Sequence, residues 1–459
     1  REITGFKNLE NVSYLTIYEN DSLQTLGLFN NLDSVGAINI SDNLSLKDIS
    51  GFQSLKSISS SLEISTNKNL ETISGFNSLT SIGTDFTLRQ NLKLKNISGL
   101  QNLQSIGMDI DCYGNIEMTS FSSLRNLSFV GNDIWINSNY KLESFDGLQG
   151  LEQVNGDLKL EVNKAVTSLT GLENLKTVGG DFLLKSCFIL PNTQGLNNLT
   201  TVSGNLILEN NYELTSLEGL SKLEAVGETL KFQNNTRLKN FHGMQNLQSL
   251  SSFAINFQDS TYSFQGLENI VELHNLHITS CKSLINFSGL NNLRTIYDVL
   301  WLNYVNIENF NGLNHLKYVE NFNILDCDKL KNLDGLENLE TAIYLNIQSN
   351  QILDDISGLR NANPADFGSI TIKGNRALSN CAIWSFCQTP YNDIYTSFII
   401  SNNMEGCNSR EELFSDCETN GTLSQTAFPL IHTDPYWSVL RRLLQWPNIN
   451  KTEKFSYID

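Results

Sequence analysis

The residues with the most chemical latitude in this 459-residue chain are five histidines and eight cysteines. The histidines are His242, His274, His277, His315 and His432. Only His274 and His277 are close, and residues three apart in an extended segment are expected on opposite faces, which makes them poor joint metal ligands. No serine sits in a G-x-S-x-G elbow, and neither an H-E-x-x-H zinc motif nor a phosphate loop occurs. Asp326–Cys327–Asp328 lacks the further oxygen ligands and glycine of a calcium loop. Asp354–Asp355 reads as turn chemistry. No catalytic constellation emerges, and no metal or cofactor is expected.

What organises these residues is a repeat. A glycine or its stand-in returns every 23 or 24 residues, at Gly5, Leu28, Gly51, Gly75, Gly99, Ser123, Gly147, Gly171, Gly195, Gly219, Gly243, Gly266, Gly289, Gly312, Gly335 and Gly358. Units this short bury their leucines only by stacking on neighbours, so the chain is expected to be a solenoid. Each unit carries an L-x-x-V/I phrase such as Leu175 and Val178, then an alternating pair such as Leu206 and Leu208, then an L-x-x-L/F pair such as Leu214 and Leu217. Alternation of period two predicts a half-buried strand. No segment sustains a helical stripe, so the coil is expected to be all-β.

A second mark follows the main strand. Asn20, Asn43, Asn67, Asn91, Asn115, Asn139, Asn163, Asn211, Asn235 and Asn350 share one position, with Cys187, Cys281 and Cys327 in the same place in other units. An asparagine there can turn inward and satisfy backbone groups freed where the strand ends, stacking into a ladder. The position is hard to place between Gln258 and Tyr304, where an irregular ladder is expected.

The unit G-L-x-N-L-x-x-V-x-G-x-L-x-I-x-x-N-x-x-L-x-x-L resembles the receptor L-domain class of leucine-rich repeats. The resemblance implies a right-handed β-helical solenoid of about sixteen coils over residues 1–375. The segment from Asn375 to Cys417 is similar to the cap of large secreted repeat proteins of Bacteroidota-type bacteria, and Pro435–Asp459 looks like the opening of a further module. That likeness implies an exported or cell-surface protein, often carried by the type IX route. A cap over 376–418 and a linker with a truncated module over 419–459 complete the expected organisation. Residues 1–4 read as the end of a preceding unit, which places the expected start upstream, behind a removed signal peptide.

The cysteines divide by position. Cys187, Cys281 and Cys327 are ladder residues, and Cys112 takes an inward strand position equivalent to Leu88 and Ile136. All four are expected as buried free thiols. Cys381, Cys387, Cys407 and Cys417 cluster past the last regular unit, and four cysteines allow three pairings. Cys381–Cys407 with Cys387–Cys417 is favoured, because Cys381 and Cys407 both follow strand-end asparagines, Asn375 and Asn403, expected on adjacent coils. A zinc site is the rival, but no C-x-x-C pair or nearby histidine supports it.

Composition narrows the function. The chain has 49 Asp and Glu against 31 Lys and Arg, a net charge of −18 with no basic block. That argues against a nucleic-acid groove and against docking on anionic membranes. No stretch approaches the roughly 18 apolar residues of a membrane span. On the outward strand positions, Thr87, Asp111, Trp135, Lys159, Leu183 and Ile207 form one column, and Arg89, Tyr113, Asn137, Glu161, Lys185 and Glu209 another. Pectate-lyase-like solenoids gather Asp, Arg and Lys on such a face, but Glu161, Lys185 and Glu209 also read as cross-strand pairing, and no enzyme is expected. Tyr113 and Trp135, flanked by Asp111 and Asn137, are the candidate ligand-binding residues, since aromatics beside amides and carboxylates can hold a sugar or peptide. Leu183 with Ile207 is a second, apolar patch. The expected function is adhesion, or capture of an extracellular protein or glycan, at the cell surface or outside it, with membership of a larger surface complex as a further expectation. A structural spacer is the alternative. The 24-residue units from Gly51 to Gly243 are expected to hold the outward aromatic pair, and so the working region.

Overall fold

In a computed structural model that describes residues 6–390 and 397–419, the chain is an all-β parallel solenoid. Gly5, His432 and the tail from residue 420 lie outside the described residues. Main strands run from Asn11–Tyr18 and Ser34–Ser41 to Ser369–Lys373 and Ser397–Ser401, each hydrogen-bonded in parallel to the next in one 24-stranded sheet. Residues alternate along each strand. In Phe182–Lys185, Phe182 and Leu184 are buried while Leu183 and Lys185 are not. On the return side, the strands Thr25–Leu26, Asp48–Ile49 and Thr72–Ile73 form a small second sheet. Short 3₁₀ turns such as Ser98–Leu100 and Ser357–Leu359 occur further along.

The core is a continuous leucine and isoleucine column, with phenylalanine stacks at two places. Phe6, Phe29, Phe52 and Phe76 have successive ring centroids 5.8, 5.3 and 4.6 Å apart. Phe241, Phe264, Phe287 and Phe310 follow at 6.0, 5.9 and 5.3 Å. Anchor glycines mark where backbones meet. Gly147 has φ 112°, and a Cβ there would lie 1.8 Å from the Phe121 carbonyl oxygen of the previous coil. Only glycine fits such an approach.

Each main strand ends in a corner residue with positive φ, among them Thr66, Gln90, Ser138, Val162, Ser186 and Asn234. The residue that follows is the ladder position. Asn91 shows the pattern: its Nδ2 donates to the Ile64 carbonyl at 2.9 Å, and its backbone N–H donates to Asn115 Oδ1 at 3.1 Å. Asn139 repeats it, Asn163 repeats the side-chain bond, to the Ile136 carbonyl, and the ladder continues through Asn350 and Asn375 to Asn403. At the cysteine positions, the Cys187 and Cys327 N–H groups donate to Asn211 and Asn350.

The corners resolve the stretch that was hard to place. Phe257 and Tyr304 have positive φ, so Gln258 and Val305 occupy the ladder position. Both are fully buried. Gln258 is one methylene too long for the position, and its Nε2 and Oε1 have no hydrogen-bond partner.

The change of rhythm also has a structural cause. In the 24-residue coils anchored from Gly51 to Gly195 the sheet side is two strands with a bend between them, as in Thr177–Val178 and Phe182–Lys185. In 23-residue coils the bend is lost and one strand runs through, as in Tyr318–Leu325. Ala225–Gln233 and Thr295–Asn303 keep the extra residue, and register slips where they meet eight-residue neighbours.

The C-terminal cap contains the helices Trp384–Cys387 and Arg410–Thr419. It is closed by Cys381–Cys407 and Cys387–Cys417, the favoured pairing, with Cα–Cα distances of 5.5 and 5.6 Å. These covalent links hold the end of the core, where an open stack would expose apolar surface and a strand edge.

Replacing Asn115 by Ala orphans the Asn91 N–H and the Leu88 carbonyl, two buried groups. The expected cost is about 2–5 kcal/mol, read from the urea midpoint. Gln258→Asn restores a residue of the right length and is expected to raise stability by about 1–3 kcal/mol. An unchanged midpoint in either variant would contradict the ladder as the main polar support of the stack.

Candidate functional site: the outward sheet

Strand register sets the two expected outward columns side by side. Thr87, Asp111, Trp135, Lys159, Leu183, Ile207 and Lys231 are successive partners, as are Arg89, Tyr113, Asn137, Glu161, Lys185, Glu209 and Gln233. Tyr113, Trp135, Asp111 and Asn137 are therefore brought together on two adjacent strands, all half-buried. Leu183 and Ile207 are direct neighbours.

The aromatic pair sits inside a web of cross-strand contacts. The Tyr113 and Trp135 rings are 6.0 Å apart and inclined by 28°. The Arg89 guanidinium lies 5.9 Å from the Trp135 ring centroid and pairs with the Asp111 carboxylate. That pairing raises the Arg89 pKa above its ordinary value. Trp135 Nε1 donates to Glu161 Oε2 at 2.8 Å, and Ser138 donates to Asn137 Oδ1 at 2.7 Å. Lys185 and Glu209 form a further pair at 3.1 Å. The cluster is thus a charged, aromatic patch whose polar groups largely answer one another. Ion pairs this exposed contribute about 0.2–1 kcal/mol each.

Sequence reasoning passed over an acidic ladder beside this patch. Asp85, Asp109, Asp133 and Asp157 each accept the backbone N–H of the aspartate one coil on, at 3.3, 3.0, 2.7 and 2.7 Å. Asp181 accepts from Asn205 at 2.7 Å. Their carboxylates tie the bends together. A Cβ on Gly180 would sit 2.1 Å from Asp157 Oδ1, so glycine leaves room for it. At Asp157, burial pushes the carboxyl upward, but the Lys159 ammonium and the Asp181 N–H outweigh it and hold the pKa below its ordinary value. The 24-residue recurrence of aspartate ahead of the main strand was the available signal.

A second feature lies in the shorter coils, which carry outward aromatics in addition to the Tyr113–Trp135 pair of the longer ones. Register continues the first column through Ala254, His277, Trp301, Asn323 and Asn346. Trp301 is half-buried between the buried Leu300 and Leu302, so its indole faces outward. His274 and His277 are both exposed on this side, not on opposite faces. The reason is a phase slip: Leu273 and Leu276 are both buried although three apart, so strict alternation fails between them. His274 lies 5.4 Å from the Tyr297 ring, whose hydroxyl donates to Glu272 Oε2 at 2.8 Å. Among the described residues, no group of three or more His, Cys, Asp or Glu side chains is arranged to hold a metal ion. None of the described helices is long and apolar enough to cross a membrane.

No family model and no curated protein matches the chain. Among solved structures, it is similar to a leucine-rich repeat protein from Bacteroides ovatus, at 14% identity over 70% of this chain and 86% of that one, with a TM-score of 0.28. The TLR13–ssRNA13 complex gives 14% identity over 90% and 84%, with a TM-score of 0.24. A leucine-rich cell-surface protein from Faecalibacterium prausnitzii gives 13% over 90% and 91%, with a TM-score of 0.16. Overlaps this loose carry no argument about activity or partner. The fold is that of a leucine-rich-repeat solenoid on the strength of its own parallel sheet, its 23- or 24-residue coil and its asparagine ladder.

Cys112, Cys187, Cys281 and Cys327 are buried free thiols, and burial pushes each pKa up to about 12. Each behaves as a small core residue. At pH 8 the folded protein is expected to release no thiol to a water-soluble disulfide reagent, and all four after denaturation without reductant. Rapid labelling of the folded chain would contradict this burial.

Proposed function

We propose that this chain is a secreted or cell-surface binding protein that presents the outward face of its solenoid to an extracellular protein or glycan. The observation that carries the reading is the outward sheet itself, an unbroken series of registered strands with aromatic, amide and charged side chains grouped on it. Rigid strands hold such groups in fixed relation, which limits the ordering cost of binding. Two disulfides support an oxidising, extracellular setting.

Within this reading the Tyr113–Trp135 cluster suits a protein ligand. It combines stacked tyrosine and tryptophan rings with the Arg89 guanidinium, and these three residue types are enriched where side chains anchor a partner. The test is capture of ligand from the native environment by the wild-type chain and by a Tyr113→Ala, Trp135→Ala double variant. Both side chains are only half-buried, so the variant is expected to fold and to capture at least tenfold less. Equal capture would identify the cluster as cross-strand packing and favour the spacer role for these coils.

A further inference from the structure

The two tryptophans on the outward sheet are used differently, and the difference points to a ligand. Trp135 is occupied within the fold: its Nε1 donates to Glu161, and its ring lies against Tyr113 and beneath Arg89. Trp301 shows no hydrogen bond from its Nε1 and no ring or cation contact among the described residues. Its column neighbours are His277 on one side and Asn323 on the other. Amides continue from there. Gln348 Nε2 donates to Asn346 Oδ1 at 2.6 Å, and Asn346 Nδ2 donates to Asn323 Oδ1 at 3.1 Å. That chain leaves the Asn323 Nδ2, beside the indole, without an acceptor among the described residues.

Charge distinguishes this region from the rest of the face. Upstream, the same two columns carry Arg89, Asp111, Lys159, Glu161, Lys185, Glu209 and Lys231. From Ala254 to Gln348 they hold no Asp, Glu, Lys or Arg. Partial desolvation lowers the His277 pKa from its ordinary value, against a smaller upward pull from Asp298. Glu272, Asp298 and Glu320 sit on the adjoining half of these strands, with no arginine or lysine among them.

We propose that the outward face of the coils from Glu272 to Gln348 is a binding site for a neutral saccharide, with Trp301 as the stacking platform. This deepens the reading of the outward sheet as the working face and rests on it. A sugar ring offers an apolar C–H face to an outward-facing indole and hydroxyls to amide and imidazole groups around it. An uncharged strip meets an uncharged ligand without leaving an ion unpaired. Glu272, Asp298, Glu320 and the net charge of −18 disfavour uronate or sulfate groups, and lysine and arginine stand only at the borders of the strip, at Lys373, Arg294 and Lys317.

The test is affinity electrophoresis and titration calorimetry of the full chain with a β-glucan, a mannan, a xylan and, for contrast, polygalacturonate. At least one neutral polysaccharide is expected to bind, and polygalacturonate is not. Trp301→Ala should weaken that binding at least tenfold, with Trp301→Phe retaining part of it. Circular-dichroism melts of the variants establish that they fold. The proposal is overturned if no neutral polysaccharide binds, if only polygalacturonate does, or if Trp301→Ala binds like the wild type. Loss of protein capture in the Tyr113→Ala, Trp135→Ala variant, with saccharide binding intact, would separate the two sites. Loss of saccharide binding alone in Trp301→Ala would do so from the other side.

Discussion

Every coil of this solenoid must turn a corner at the end of its main strand, and the structure depends on how the backbone is satisfied there. The corner residues take positive φ, most without being glycine. Such a conformation costs roughly 1–2 kcal/mol for a residue with a Cβ. Peptide groups around it are buried, and a buried amide without a partner is costly in its own right. The asparagine that follows meets both demands. Its amide reaches back to a strand carbonyl, and its oxygen receives the N–H of the preceding coil's ladder residue. The stack is therefore bound through its side chains as well as through its sheet. Cysteine can take the position because its sulfur is small and weakly accepting. Gln258 fits it poorly, with both amide atoms unanswered.

The same accounting explains the longer coils. An extra residue between the two halves of the strand opens a bend, and a bend interrupts the sheet's own hydrogen bonds. In the coils that have it, aspartates bridge from one bend to the next. The carboxylates are held by backbone donors, which is how like charges can be stacked along one edge. Where the bend disappears, so does the aspartate column, and a single strand runs through.

This division carries over to the outward face. The bent coils place charged residues on it, and these pair across strands. The straight coils place amides and aromatics there instead. One tryptophan is thereby locked into a network, and the other makes no side-chain hydrogen bond or ring contact among the described residues. A single repeat has produced two chemically different surfaces without altering the core that supports them.

The sequence by itself determined the period, the solenoid, the asparagine positions, the burial of Cys112, Cys187, Cys281 and Cys327, and the favoured disulfide pairing. Each is a local consequence of residue type at fixed spacing, because a stacked coil confronts every position with its equivalent one unit away. It also aligned the outward columns as far as Lys231 and Gln233. Tertiary structure alone decided what happens where the spacing slips. Gln258 and Val305 could be placed in the ladder only from the corners that precede them. His274 and His277 share a face because alternation loses one step between Leu273 and Leu276. Trp301 lies in the column of Trp135 because strand pairing carries the register across that slip. Spacing along a chain fixes the face only while the alternation of a strand is unbroken; beyond a break, the hydrogen bonds between coils decide it.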